Sequence, residues 1–325
     1  MAITLAEAKL NAQTDLDVSV IDEFRTNPIL DLITFDDAVN PSGGGATMTY
    51  GYRRLLTAPT AATRAINSEY SPQNVTTEQK TVNLAVLGGS FDVDRVVAKI
   101  GPAASGSVAL NMSQKIKATQ ALFGDLVING DTGADANGFD GLAKALVGTS
   151  TEDTAVHDWT GTLDQAKAFQ ILTDVDNLLS LLDGQAGGLL GNRKVLSLIK
   201  AASRFANQYV EHVGPRNTAL VSYSGATLID AGLKAGSATD VIPVNVADPD
   251  SAGPLVAGST ALYAVRFGLD GFHGVSTAGG SLVSTWLPDF STPGAVKKGE
   301  VELGPVAVAL KATKAAAVAK NIKVQ

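Results

Sequence analysis

An α+β fold is predicted, and three observations predict it. Between residues 46 and 95 two runs alternate apolar and polar side chains, the period of half-buried strands. From about Pro102 to Val127 the apolar side chains shift to helical spacing. From 219 to 290 short strand-like runs return between glycine-bearing turns.

Taken in order, the first segment reads as a helical arm. Thr4 and Glu7 have capping-box spacing, and Val18, Ile21 and Phe24 recur three apart before Pro28 and Pro41. Ser42 with Gly43, Gly44 and Gly45 then predicts a flexible hinge. Met48, Tyr50 and Tyr52 alternate with Thr47, Thr49 and Gly51, and Val82, Leu84 and Val86 form a second alternating run. The turn-rich stretch 57–72 separates them, so the pair reads as a long, protruding hairpin. After Gly88 and Gly89 the apolar phase passes to Phe91 and Val93, which predicts a bulge, kink or hinge there. Two strands alone are marginal in water, so the hairpin should lie on something else, naturally a partner subunit.

Val108, Met112, Ile116, Phe123 and Leu126 form one stripe of a helix on the order of 35 Å long, with Thr119 its polar member. Asn129-Gly130-Asp131 stops it. A second helix is expected over about Leu163–Leu182, capped by Thr162 with Gln165 and buried through Leu172, Val175, Leu179 and Leu182. A short strand at Leu189-Leu190, a turn at Gly191-Asn192-Arg193 and a helix to about Phe205 follow. Strands are clearest at 261–266, 281–286 and 301–311. The Ala- and Lys-rich end, with Lys311, Lys314, Lys320 and Lys323, reads as a packed, partly exposed strand or helix.

Composition narrows the function. Of 325 residues 45% are hydrophobic and 18% charged, so a folded core is expected. A net charge of −7 with no basic face or tail argues against a chain that grips DNA. With no cysteine, disulfides, thiol nucleophiles and Cys-ligated metals are excluded. No signal peptide or membrane span is read, and a soluble product of a bacterial cytoplasm is expected.

Sites of chemistry are not expected: no catalytic residue, no metal and no cofactor. The loop Asp131–Asp140 misses the calcium-loop pattern at Gly133, Ala136 and Leu142, so it reads as a turn-rich connection. His157, His212 and His273 lack ligand spacing, and Ser222 and Ser224 lack a nucleophile elbow. Gly43–Gly45 lacks the Gly-Lys-Ser/Thr ending of a phosphate loop. Arg53, Arg54 and Arg64 suit either a solvated face or pairing with Asp36 and Asp37 of a neighbour.

The order of these parts resembles the Hong Kong 97-type major capsid proteins of tailed double-stranded-DNA phages, in the branch from actinobacterial hosts. The stretches that carry the resemblance are VIDEFRTNPILDLITFDDAVNPSGGGATMTYGYRRL at Val20–Leu55, RAINSEYSPQNVTTEQKTVNLAVLGGSFDVDR at Arg64–Arg95 and MSQKIKATQALFGDLVINGD at Met112–Asp131. NGFDGL at Asn137–Leu142 and YAVRFGLDGFHGV at Tyr263–Val275 match more weakly. The resemblance implies an N-terminal arm over 1–45 and an extended loop over 46–90. It implies a spine helix and peripheral domain over 91–160, completed by about 291–325, and a mainly axial domain over 161–290. It implies pentamers and hexamers in an icosahedral virion shell that encloses DNA without sequence-specific binding and expands on maturation. Tyr50, Tyr52, Arg53, Arg54, Arg64, Asp36 and Asp37 are then expected between subunits, with hinges at Gly43–Gly45 and Gly88–Gly89. A separate scaffolding protein and a portal are expected, a decoration protein is possible, and no membrane is involved. Between Gly45 and Arg95 the only lysine is Lys80, so covalent cross-linking of the shell is not expected. An encapsulin-type compartment is the alternative shell, and a hydrolase the alternative of another class.

Overall fold

The computed structural model describes residues 29–39, 47–57, 59–99, 102–213, 219–244, 258–277 and 282–325. The helices expected in residues 1–28 and the hinge at Gly43, Gly44 and Gly45 lie outside them.

The described chain opens with helix α1 (Ile29–Leu32) and strand β1 (Phe35–Ala38), then strands β2 (Thr49–Thr57), β3 (Thr76–Asn83) and β4 (Ala85–Asp94). Helices α2 (Arg95–Lys99), α3 (Pro102–Asn129) and α4 (Leu142–Ala145) precede two short strands, β5 (Glu152–Asp153) and β6 (His157–Asp158). Next come α5 (Gln165–Ser180), β7 (Gly188–Gly191), α6 (Arg193–Phe205), β8 (Val210–Val213), β9 (Ala219–Tyr223) and β10 (Ala226–Asp230). The remaining strands are β11 (Ser259–Val265), β12 (Phe272–Thr277), β13 (Val283–Trp286), β14 (Val296–Leu310) and β15 (Ala316–Lys323). They form a five-stranded sheet, an eight-stranded sheet and a separate two-stranded ribbon.

The five-stranded sheet is organised by β14. One half pairs antiparallel with β13 and β4, the other with β12, and β1 adds parallel to β12. The register shifts between Leu303 and Val306, across Gly304 and Pro305. Gly304 sits at φ +112°, a conformation that favours glycine. The expected bulge is therefore in β14, not at Gly88–Gly89.

Gly88 and Gly89 carry no bulge or kink. Along β4 the side chains of Ala85, Leu87, Phe91 and Val93 are buried in unbroken alternation, and the ladder to β14 runs evenly from Leu87 to Asp94. The apolar phase changes earlier, at Leu84 and Ala85, which are both buried where the ribbon passes into the sheet. Gly88 serves close approach instead: a Cβ there would lie 2.4 Å from the Val301 carbonyl oxygen.

The spine helix α3 has 28 residues, about 42 Å of helix. Met112 packs with Phe91, Val93 and Val301, and Phe123, Val127 and Ile128 enter the main core beside Ile29, Ile33 and Leu142. Phe123 meets the rings of Phe35 and Phe139 at 6.1 and 6.0 Å. Each such side chain contributes roughly 1.5–3 kcal/mol by leaving water. Thr119 is buried in this stripe and donates its hydroxyl to the Lys115 carbonyl at 2.8 Å, so its polarity is satisfied inside its own helix.

In the eight-stranded sheet the order is β5-β15-β11-β7-β10-β9-β8, with β6 also on β15. Helices α5 and α6 cover one face through Ile171, Val175, Val195 and Ile199, against Leu189, Leu262 and Ala264. Leu190, Tyr263 and Val265 face the main core on the other side. Asn192 caps α6, but α5 is capped by Asp164, whose side chain accepts from the Lys167 N–H, and not by Thr162.

The chain's end is the packed strand of the two forms expected: β15 lies beside β11, Lys314 is exposed and Lys320 is buried with Glu152 at 2.7 Å. It joins the eight-stranded sheet, whereas β12 and β13, from within 161–290, join β14. Residues 29–38, expected in the arm, are part of the body: Ile29, Ile33 and Ala38 are buried. Among the described residues no helix is long and apolar enough to cross a membrane.

Gly88→Ala should cost about 1–3 kcal/mol in denaturant unfolding, because the new methyl must part β4 from β14. Ser90→Ala, exposed on the same strand, should stay within about 0.5 kcal/mol of the parent.

Candidate functional site: the hairpin and its root

β2 and β3 pair from Thr49↔Asn83 to Thr57↔Thr76 and form a ribbon joined by residues 59–75. Alternation gives the ribbon two unlike faces. Tyr50, Tyr52 and Arg54, opposite Val82, Lys80 and Glu78, are half-buried, whereas Gly51, Arg53 and Leu55 are exposed.

The half-buried face is fastened to the same chain. Tyr50 donates its hydroxyl to Asp36 Oδ2 at 2.7 Å. Its ring stands edge-on to the His273 imidazole, with centroids 5.8 Å apart. Lys311 Nζ lies 5.3 Å from the Tyr50 ring centroid and 3.6 Å from Asp36 Oδ2. One step along, Tyr52 donates to the Leu310 carbonyl at 2.9 Å. Arg54 donates to the Leu310 carbonyl at 2.6 Å and to the Lys311 carbonyl at 3.0 Å. These acceptors lie where β14 ends.

The electrostatics follow from this packing. The Tyr50 hydroxyl holds the Asp36 carboxyl below its ordinary range, with the Asp37 N–H and Lys311 acting in the same sense. Burial and the Asp36 carboxylate both push the Tyr50 phenol up, and burial pushes up that of Tyr52. His273 is fully buried, neither ring nitrogen has a hydrogen-bond partner, and burial lowers its affinity for a proton.

The seven residues expected between subunits thus divide. Asp36, Tyr50, Tyr52 and Arg54 are brought together, but within one chain, where their polar groups fix the hairpin to the body. Asp37 and Arg53 are exposed, and Arg64 is at the tip, stacked 5.5 Å from the Tyr70 ring centroid. His273 and Lys311 complete the root and were not singled out for it, since nothing local marks two residues so far from Tyr50 in sequence. Lys80 is paired with Glu78 at 2.7 Å.

The tip contrasts with the root. Every residue from 59 to 75 is exposed, Ile66 at 91%, and Tyr70, Val75, Leu55 and Leu56 add apolar surface. These exposed apolar side chains offer what a contact with another molecule would bury.

Elsewhere the polar groups have local work. Asp131 and Asp140 of the turn-rich loop both accept from Lys144, at 2.6 and 2.9 Å. His157 is 3.0 Å from Asp153 and 3.5 Å from Asp174. Among the described residues no three His, Cys, Asp or Glu side chains are grouped to hold a metal.

Tyr50→Phe removes one charge-assisted hydrogen bond at a partly exposed site, so a loss of about 1 kcal/mol is expected. Hydrogen exchange should show it locally: amides of β2 and β3 exchange faster, those of β11 unchanged.

The sequence matches no protein-family model and no curated protein. Its fold, however, is similar to solved structures over nearly its whole length. The holo-SrpI encapsulin complex of Synechococcus elongatus PCC 7942 is 12% identical with a TM-score of 0.58, covering 100% of this chain and 98% of that one. A structure from Mycobacterium phage Bobi is also 12% identical at 0.58, covering 98% and 97%. The capsid of a native GTA particle is 11% identical at 0.57, covering 96% of each. The chain therefore has the Hong Kong 97-type capsid fold, with the ribbon and spine helix expected of it.

Proposed function

We propose that this chain is the major capsid protein of a tailed phage, a shell subunit and not an enzyme, whose hairpin lies on a neighbouring copy. The observation that carries this is the ribbon: its root is fixed to its own body, while its apolar tip is exposed among the described residues. The whole-length fold likeness to phage capsids supports the same reading.

On this reading the five-stranded sheet with α3 is the peripheral domain, and the eight-stranded sheet with α5 and α6 is the axial domain around fivefold and sixfold centres. Arg53, Asp37 and Arg64 take part in subunit contacts. Exposed single charges give little affinity each, but repeated around a shell they fix register. A surface with net charge −7 and no basic tail would let double-stranded DNA slide during packaging. A separate scaffolding protein and a portal complete the assembly, and the shell expands as it fills. The encapsulin likeness favours a second reading, a compartment with protein cargo.

Electron microscopy of the purified full chain, alone and with a co-expressed scaffolding protein, tests this. Closed shells or rings of five and six subunits are expected, and DNA rather than an enzyme inside native particles separates phage head from encapsulin. A product that stays monomeric or dimeric under both conditions overturns the shell. Ile66→Asp should leave folding stability within about 0.5 kcal/mol but abolish assembly.

A further inference from the structure

A histidine whose two ring nitrogens are buried without a partner needs a physical account. His273 is the case here: 0% exposed, on β12, beneath the root of the hairpin. The ionisable groups around it come from four elements. Asp36 lies on β1, Tyr50 on β2, Lys311 just beyond β14, and Asp270 in the turn before β12.

A neutral imidazole suits this place. It offers an aromatic edge to Tyr50 and leaves Asp36 to the Tyr50 hydroxyl and to Lys311. An imidazolium does not. Taking a proton from solvent makes both ring nitrogens donors, neither of which has an acceptor in good hydrogen-bond geometry, and adds a second cation beside Lys311. The nearby Gly271 carbonyl and the Asp36 carboxylate favour the proton, but burial and Lys311 outweigh them. A buried, unpaired charge is costly, so the structure must give it a partner or water. Turning toward Asp36 competes with the Tyr50 hydroxyl. Admitting water lifts the ribbon. Both break the contact that holds β2 to the body.

We propose that His273 makes the hairpin root a proton-operated latch, closed over the neutral imidazole and opened by its protonation. The latch lies within one chain, so it stands or falls independently of the shell.

The direction in pH is fixed. The ordinary value for histidine is 6.5, and His273 in the closed root is held below it, mainly by burial with Lys311 adding to the effect. The closed state then binds fewer protons than the open one, and it loses stability as pH falls below 6.5. Asp36 acts in the same direction, but only as pH falls through its own lowered range, below 3.8. The interval from about pH 7 to about pH 5 therefore isolates the histidine.

The test is hydrogen exchange on the full chain, kept dilute and unassembled, at about pH 7 and about pH 5 with intrinsic rates corrected. Amides of β2 and β3 should lose protection severalfold from about pH 7 to about pH 5, because the open root binds the proton more tightly than the closed one. Those of β11 should not change. His273→Phe keeps an aromatic ring and should make hairpin protection independent of pH over this interval. An unchanged hairpin in the parent, or the same loss in His273→Phe, overturns the latch. Should that variant not fold, His157→Gln with His212→Gln leaves one imidazole to follow by NMR. Its titration should fall below pH 6.5 together with hairpin opening, and an imidazole that titrates while the hairpin stays closed overturns the proposal equally.

Discussion

A two-stranded ribbon in water cannot bury its own faces, and this constraint shapes the molecule. The chain meets it at one end by fixing the inner face of β2 to the body. Tyr50 reaches Asp36, while Tyr52 and Arg54 reach the carbonyls of Leu310 and Lys311. At the other end it leaves the constraint unmet, with residues 59–75 exposed and Ile66 projecting. A ribbon held at its base and bare at its tip can change its partner without disturbing its own core.

The base must be rigid for this to work, and β14 makes it so. Its 15 residues link β13 and β4 at one end to β12 and β1 at the other, and the ribbon's acceptors lie where it finishes. The spine helix braces the same strand through Met112 and Val301. The eight-stranded sheet is tied in through β11, buried on both faces, so the two halves share one core.

Much of this was legible in the sequence. Period-two alternation marks Tyr50 and Tyr52 as sharing a face, and the spine helix is plain in the spacing from Met112 to Phe123. What such a face meets is not written in its period. The Asp36, Tyr50 and Arg54 contacts were expected between chains and lie within one, because their partners are far off in sequence. Gly88 and Gly89 looked like a kink since glycine commonly marks one, yet the strand is continuous and Gly88 is there for close approach to Val301. The alanines of β15 mark a packed segment but do not decide strand from helix. They are small because β15 is enclosed, and Lys320 is tolerated there because Glu152 neutralises it.

The central claim is that the tip is covered by another copy while the root is held by its own chain. Hydrogen exchange of the full chain, compared between dissociated subunits and assembled particles at neutral pH, measures both at once. Residues 49–54 should be protected in both states, and 59–75 only after assembly. Equal, rapid exchange of 59–75 in both states would contradict the account, as would a root that becomes protected only on assembly.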